Sequence, residues 1–152
     1  MVTRLRHVWL AIITLSGLIF SPQRRALLRE MQDFIRSLPT VLKAPLPAAL
    51  QHITPAAGST SETERSVRNL ADLTALLDRQ SPLGLCLRRS LTRYHFLRRA
   101  GVPVVLQFGA KFVNGKPDRE VTGHAWLTLD GQPYHESDEN WRGFTVMIAW
   151  PT

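Results

Sequence analysis

The segment QSPLGLCLRRSLTRYHFLRRAG, residues 80–101, decides the fold of this chain. Its larger apolar side chains recur at spacings of four, three and three, as on one face of an α-helix: Leu87, Leu91, Tyr94 and Leu97. Gly101 follows this pattern and is a typical residue at the end of a helix. The sequence therefore predicts a helix that ends near Gly101 and carries Cys86 in its first turn.

Cys86 is the only cysteine among the 152 residues, so it cannot form an internal disulfide. Its remaining uses are core packing, an intermolecular bond, or catalysis with a histidine elsewhere, for which His124 is the candidate. Unpaired backbone N–H groups at a helix N-terminus favour a thiolate. Arg89 and Arg93 follow on the same face of the helix and are expected to add positive potential. These features favour a reactive thiolate over an inert core cysteine.

The pattern changes to alternation after Gly101, which predicts strands around Val102–Phe108 and Ala125–Leu129 and a last strand at Phe144–Trp150. The pairs Asn114-Gly115 and Asp130-Gly131 are hairpin turn signals. The predicted fold class is therefore α+β, with a helical N-terminal part and a Cys-bearing helix packed on an antiparallel sheet. This arrangement is similar to that of papain-like and transglutaminase-like enzymes.

The third residue of such a site would orient His124, which alternation places on the same face as Trp126. A two-residue turn at Asp130-Gly131 would put Glu136 on the opposite face. A longer or bulged loop would bring Glu136 to the histidine side, with Asp138 as its rival. We therefore expect a loop of more than two residues, or a bulge, at this turn.

The N-terminal part, residues 1–61, is predicted to contain helices and a Pro-rich connector, followed by a core over residues 62–152 in one compact domain. The apolar run Val8–Phe20 indicates a helix packed on the domain or lying on a membrane surface. A second helix follows Pro22 and is expected to end at Pro39. Residues 39–65 are expected to be an unpacked connector, and a third helix is predicted over residues 62–79.

The net charge of +7 is unevenly distributed along the chain. The first 100 residues have 15 Lys and Arg against 6 Asp and Glu, whereas the last 52 have 4 against 6. No nucleic-acid-binding motif accompanies this basic part, so we expect no nucleic-acid partner. One cysteine and five dispersed histidines give no metal-ligand spacing, so no metal site is expected. His95 is expected at the surface.

Three motifs in combination resemble the transglutaminase-like leader peptidases of lasso-peptide biosynthesis, a family of microcin-processing proteins: CLRRSL at 86–91, LRRAGVP at 97–103 and GHAWL at 123–127. The resemblance covers about residues 65–140. It implies a cysteine endopeptidase that removes the leader from a ribosomally made precursor, with Cys86 as nucleophile and His124 as base. The family's acidic residue corresponds to Glu136, although aspartate is usual at that position.

The residues around Cys86 and His124 give further candidates for the site, and the resemblance implies the partners. Gln80, Arg89 and Trp126 are candidate substrate-binding or oxyanion residues, together with the backbone N–H of Cys86. The first 80 residues lack the strand-rich leader-recognition module, so a separate leader-recognition protein is expected, alongside the precursor peptide and a lasso cyclase. No cofactor is implied. The expected location is the cytoplasm, with membrane-surface association through the N-terminal helix as an addition.

Two alternatives of other classes remain at this point. The fold could serve as a non-catalytic scaffold that binds peptide or membrane, which the glutamate at the usual aspartate position favours. The same residues could also catalyse acyl transfer to an amine instead of water.

Overall fold

The computed structural model describes residues 21–56, 58, 62–113 and 120–151. The predicted helix at Val8–Phe20 and the turn at Asn114-Gly115 lie outside these residues. The described elements follow in the order α1 (Pro22–Val41), α2 (Leu46–Ile53), α3 (Glu64–Leu77), α4 (Leu85–Arg99), β1 (Val105–Phe112), β2 (Val121–Leu129), β3 (Gln132–Pro133), α5 (Asp138–Trp141) and β4 (Thr145–Trp150). The α+β class predicted from the sequence is confirmed. None of the helices in the described ranges is long and apolar enough to cross a membrane.

The chain divides into two compact units at Val102 and Pro103. We call the first the helical unit and the second the sheet unit. The core of the helical unit is formed by fully buried side chains from the four helices that the structure describes there, among them Met31, Ile35, Leu50, Leu70, Leu91, Tyr94 and Leu97.

Helix α1 begins at Pro22 and continues past Pro39 to Val41, so the predicted end at Pro39 is wrong. Ser21 caps the helix by accepting a hydrogen bond from the Arg24 N–H at 3.3 Å. A proline so close to the C-terminal end removes one backbone N–H only, and the Leu42 N–H still donates to the Leu38 carbonyl at 2.9 Å. The last turn therefore forms despite the proline.

Helix α2 corrects the expectation of an unpacked connector over residues 39–65. Pro45 is its N-cap and another proline lies in its first turn, where the missing N–H costs no hydrogen bond. Ala49, Leu50 and Ile53 are each at most 2% exposed. The prolines of this segment lie at the start of a packed helix. Their number alone suggested a loop, because prolines are common in both places.

Helix α3 confirms the third predicted helix, with ends about two residues inside the expected bounds. Thr63 is the N-cap and accepts from the Ser66 N–H at 3.3 Å. Val67, Leu70 and Leu73 form its buried face, whereas Leu77 is 59% exposed. Helix α4 packs against this face of α3.

The sheet unit is a four-stranded antiparallel sheet in the order β3-β2-β1-β4. In its register Gly109 of β1 lies opposite His124 of β2. Strand β4 pairs with β1 through a bulge in which Met147 has no partner in the register. As an edge strand, β4 leaves Val146, Met147 and Ile148 exposed.

Candidate active site

Cys86 is the second residue of α4, after the N-cap Gly84. This confirms its predicted position in the first helical turn. Cys86 forms no disulfide and is partly exposed. Because the first N–H groups of a helix have no partner within the helix, the backbone there favours an anion such as a thiolate. The local structure at Cys86 is thus suited to a nucleophile.

Two arginines fix helix α4 to helix α3. Arg93 donates from Nε and Nη2 to the two carboxylate oxygens of Asp72, at 2.5 Å each. Arg88, 7% exposed, donates from Nη2 to the Ala75 carbonyl at 3.1 Å, near the C-terminal end of α3. These bonds hold the first half of α4 against α3.

Arg93 is a weaker candidate than Arg89 for raising the positive potential at the thiol, and its predicted contribution stays a prediction. Its guanidinium is 4% exposed and forms a bidentate ion pair with Asp72, which offsets its charge. Arg89 is one turn beyond Cys86 and partly exposed. It remains the candidate cation on this helix.

Gln80 lies between α3 and α4 and lines a cavity of about 330 Å³. Gln32 and Arg36 of α1 and Thr74 of α3 line the same cavity, and Cys86 does not. Gln80 thus belongs to a polar cavity of the helical unit, and its role as an oxyanion donor stays a prediction.

His124 lies in the middle of β2 within an aromatic group of the sheet unit. Its ring stacks on Trp126, with centroids 5.8 Å apart and an interplanar angle of 14°. Phe144, just before β4, lies 5.5 Å from the same imidazole. The His124 side chain is 13% exposed and Trp126 is 3% exposed. The predicted shared face of His124 and Trp126 is confirmed, and the stacking restricts the imidazole to one plane.

Gly109 makes this stacking possible, and the sequence analysis did not identify it. A Cβ atom at residue 109 would lie 2.7 Å from Cη2 of Trp126 and 3.0 Å from the Thr145 carbonyl oxygen. Any side chain there would displace the indole from beside His124. The signal in the sequence is a glycine within an apolar strand, which often marks a close approach of other atoms to the backbone.

Glu136 is the carboxylate nearest to His124 among the described ion pairs. Its Oε1 lies 3.8 Å from Nε2 of His124, and its side chain is 2% exposed. The Nδ2 group of Asn140 donates to the same Oε1 at 2.6 Å. Asp138, the rival carboxylate, forms an exposed ion pair with Arg142 at 2.7 Å. The distance of 3.8 Å is that of an ion pair, longer than a hydrogen bond.

Glu136 reaches this position by a different route from the predicted one. The loop at Asp130-Gly131 has two residues, since Leu129 pairs directly with Gln132, so the expectation of a longer or bulged loop is wrong. Both loop residues have positive φ, as a tight hairpin turn requires. Strand β3 ends at Pro133, and His135 then adopts a φ of 49°. The alternation of side chains stops at this left-handed residue. The Glu136 side chain therefore need not point to the sheet face that a continued strand would give it.

An imidazole held against a buried carboxylate is oriented to accept and return a proton, and a thiol at a helix start is placed to act as a nucleophile. The part of the chain that the structure describes contains no group of three His, Cys, Asp or Glu side chains that could hold a metal ion. The thiol, the imidazole and the carboxylate are the residue types used in nucleophilic and acid–base catalysis.

Comparison with known families gives a match to the transglutaminase-like superfamily over residues 27–149, a span that includes Cys86, His124 and Glu136. Neither a curated protein nor a solved structure matches the chain significantly. The matched span covers most of the chain and both of its units. The chain therefore belongs to the transglutaminase-like superfamily.

Proposed function

We propose that this protein is a cysteine peptidase that removes the leader from a ribosomally synthesised lasso-peptide precursor. The observation that carries the proposal is the 3.8 Å approach of the buried Glu136 carboxylate to Nε2 of His124. It is supported by the helix-start position of Cys86 and by family membership over both residues. The leader-peptidase assignment within the superfamily is supported by the combined sequence motifs around Cys86, Gly101 and His124.

The proposed reaction has two halves and requires the thiol of Cys86 to meet the imidazole of His124. In the first half, the thiolate attacks the scissile carbonyl, a C–S bond forms, and the C–N bond breaks as His124 donates its proton to the departing amine. In the second half, His124 takes a proton from water, whose oxygen attacks the thioester and releases the leader as a carboxylic acid. The C–S bond breaks in this step, which regenerates the thiolate and the protonated His124 with which the cycle began.

Glu136 has an electrostatic role in this scheme. A negative charge beside the imidazole stabilises the imidazolium form that accompanies the thiolate and fixes the plane of the ring. Asn140 holds the carboxylate oxygen that faces His124. The backbone N–H of Cys86 is the proposed oxyanion donor, with Gln80 as a second candidate and Arg89 and Trp126 as substrate contacts.

The substrate and partners follow from the same proposal. The precursor is made on the ribosome, so the reaction belongs in the cytoplasm. A separate leader-recognition protein would present the precursor, and a lasso cyclase would use the amino group that cleavage exposes.

The proposal is tested by incubating the wild type and Cys86→Ala with a lasso precursor peptide and its leader-recognition protein, and then measuring product masses. The wild type is expected to release the free leader acid and the core peptide, and Cys86→Ala neither. The exposed variant Lys43→Ala serves as a control and should cleave normally. Equal cleavage by Cys86→Ala would exclude the mechanism.

Repeating the assay with an added primary amine separates hydrolysis from acyl transfer. A leader amide that replaces the leader acid would identify an acyltransferase. If the wild type cleaves no precursor and iodoacetamide alkylates Cys86 no faster than an ordinary cysteine, the non-catalytic scaffold is favoured instead.

A further inference from the structure

A groove of about 720 Å³ opens at one end of the sheet, within the sheet unit. We call it the β4 groove and define it by the six residues on which the argument depends: Lys111, Phe112, Val121, Arg142, Thr145 and Met147. They come from the ends of β1 and β2 and from the chain around the start of β4. None of them has a part in the proposed reaction.

The walls of the β4 groove are apolar and exposed. Met147 is 67% exposed, Val121 56% and Phe112 42%. Isolated exposed apolar residues are common, but several together around one concave surface indicate a binding site. An occupant with an apolar side chain would therefore be stabilised there.

The backbone of β4 favours an extended occupant. Strand β4 has β1 on one side, and no strand in the described part of the chain pairs with its other side. A free strand edge can align an extended peptide through main-chain hydrogen bonds. The bulge at Met147 interrupts the pairing with β1 at the residue that lines the groove.

The charge of the β4 groove selects the occupant further. Two cationic side chains, Lys111 and Arg142, line it, and no carboxylate does among the described lining residues. The ion pair of Arg142 with Asp138 is exposed on both sides and is worth little in water. A carboxylate on the occupant would thus meet Lys111 and, in competition with the exposed Asp138, Arg142.

One aromatic ring joins the β4 groove to the candidate histidine. Nζ of Lys111 lies 4.3 Å from the centroid of the Phe144 ring, and the same ring lies 5.5 Å from the His124 imidazole. Lys111, which lines the β4 groove, therefore contacts the same ring as His124.

We propose that the β4 groove binds an extended segment of the substrate peptide that has an apolar side chain and, two residues away, an acidic one. The apolar side chain packs against Met147 and Phe112, and the carboxylate pairs with Lys111. Lys111 and Phe112 alternate along β1 but both line the groove. Residues two apart share one face of an extended chain, so one extended segment can make both contacts. That the bound peptide is also the substrate rests on the proposed function.

Binding is tested with the full-length Cys86→Ala protein, so that cleavage is not needed for the result. Three short fluorescent peptides serve as probes: one with leucine and glutamate two positions apart, one with lysine replacing the glutamate, and one with serine replacing the leucine. Fluorescence anisotropy is expected to show that either replacement weakens binding about tenfold, because each removes one contact.

Variants of the groove give the matching loss on the protein side. Lys111→Glu should bind the lysine peptide better than the glutamate peptide, and Lys111→Arg should retain the original preference. Met147→Ser should weaken the binding of the peptide with leucine and glutamate about fivefold. The controls Lys43→Glu and Leu77→Ser change an exposed lysine and an exposed apolar residue of the helical unit, and should have no effect.

The proposal is overturned if the wild-type groove does not distinguish the three peptides, or if Lys111→Glu and Met147→Ser bind as before while their circular dichroism matches the wild type. It is also overturned if sedimentation shows a dimer that Met147→Ser dissociates, because the occupant is then a second copy of the chain. If the groove variants cleave the precursor like the wild type, the β4 groove is not a substrate-binding site, and the proposed peptidase activity still stands. If the peptides bind in the β4 groove but the wild type cleaves no precursor, the proposed peptidase activity is excluded and the groove remains a peptide-binding site.

Discussion

The two units use their charged residues differently. In the helical unit, Arg88 and Arg93 are buried and bind α3, so the charges near the Cys86 helix serve its packing. In the sheet unit, the buried Glu136 faces a histidine that is itself partly exposed. The comparison shows that a cation close in sequence to a candidate nucleophile can be structural, whereas the candidate carboxylate is recognised by its contact with His124.

The largest effect is expected from Glu136→Gln in the sheet unit. Removing the charge beside His124 should lower turnover about 10³-fold while leaving substrate binding unchanged, since the imidazole loses its electrostatic partner. Asp138→Asn is the matched control, because its carboxylate pairs with Arg142 at the surface, and it should change turnover less than about threefold. Steady-state peptidase kinetics measure both. Equal losses in the two variants would remove the distinction between these carboxylates.

In the helical unit, Asp72→Ala should destabilise the fold by about 3–5 kcal/mol, since it leaves the Arg93 guanidinium buried without its partner. The control is Asp33→Ala, which breaks the exposed pair with Arg36 and should cost less than about 1 kcal/mol. Urea denaturation measures the difference in unfolding free energy. If both variants lose the same small amount of unfolding free energy, the Arg93–Asp72 pair does not stabilise the packing of α4 on α3.

A smaller effect is expected from Gly109→Val, which should destabilise the sheet unit by about 1–3 kcal/mol because the new side chain overlaps the Trp126 indole. Turnover should fall as well, since the stacking partner of His124 moves. Gly123→Ala is the control: a Cβ there would meet no atom closer than 3.8 Å. Thermal denaturation followed by circular dichroism ranks the two, and equal melting temperatures would contradict the steric argument.

The smallest effect concerns His95, which is half-buried instead of lying at the surface as expected. Its ring stacks on Phe34, and its Nδ1–H donates to the Ile53 carbonyl at 2.7 Å. Burial lowers the pKa of His95, and the nearby Arg99 guanidinium acts in the same direction. The lowered pKa means that the folded state resists a proton which the unfolded state accepts. The stabilisation is therefore complete above about pH 6.5 and is lost as the pH falls below it.

Replacing His95 by Phe should flatten this pH dependence between about pH 8 and pH 5. His52→Phe is the control, since His52 is an exposed histidine of the same unit. Urea denaturation at several pH values gives the unfolding free energies. A wild-type stability that does not fall relative to His95→Phe over this range would show that His95 is not the group responsible.

The sequence was sufficient to predict those features that depend on residues close together in the chain. Helix α4, its end near Gly101 and the position of Cys86 in its first turn follow from apolar spacing and helix-end chemistry, and these predictions are confirmed. Helix α3 and the shared face of His124 and Trp126 followed in the same way.

The sequence was insufficient where packing overrides local preference. Proline composition suggested a loop at residues 46–53, but burial of Leu50 and Ile53 stabilises a helix whose prolines occupy its first turn. The position of Glu136 depends on a left-handed His135, which no alternation rule predicts. The pairing of Arg93 with Asp72 joins residues 21 apart in sequence and could be seen only in the folded helices.

The proposed catalytic pairing of Cys86 with His124 is tested most directly by the rate at which iodoacetamide alkylates Cys86 at neutral pH. The rate is measured in the wild type, in His124→Ala and in the control His52→Ala. Because the thiolate is the reacting species and an imidazolium favours it, His124→Ala should slow alkylation about tenfold, while His52→Ala should react like the wild type. Equal rates in all three proteins would contradict a catalytic pair between the two residues.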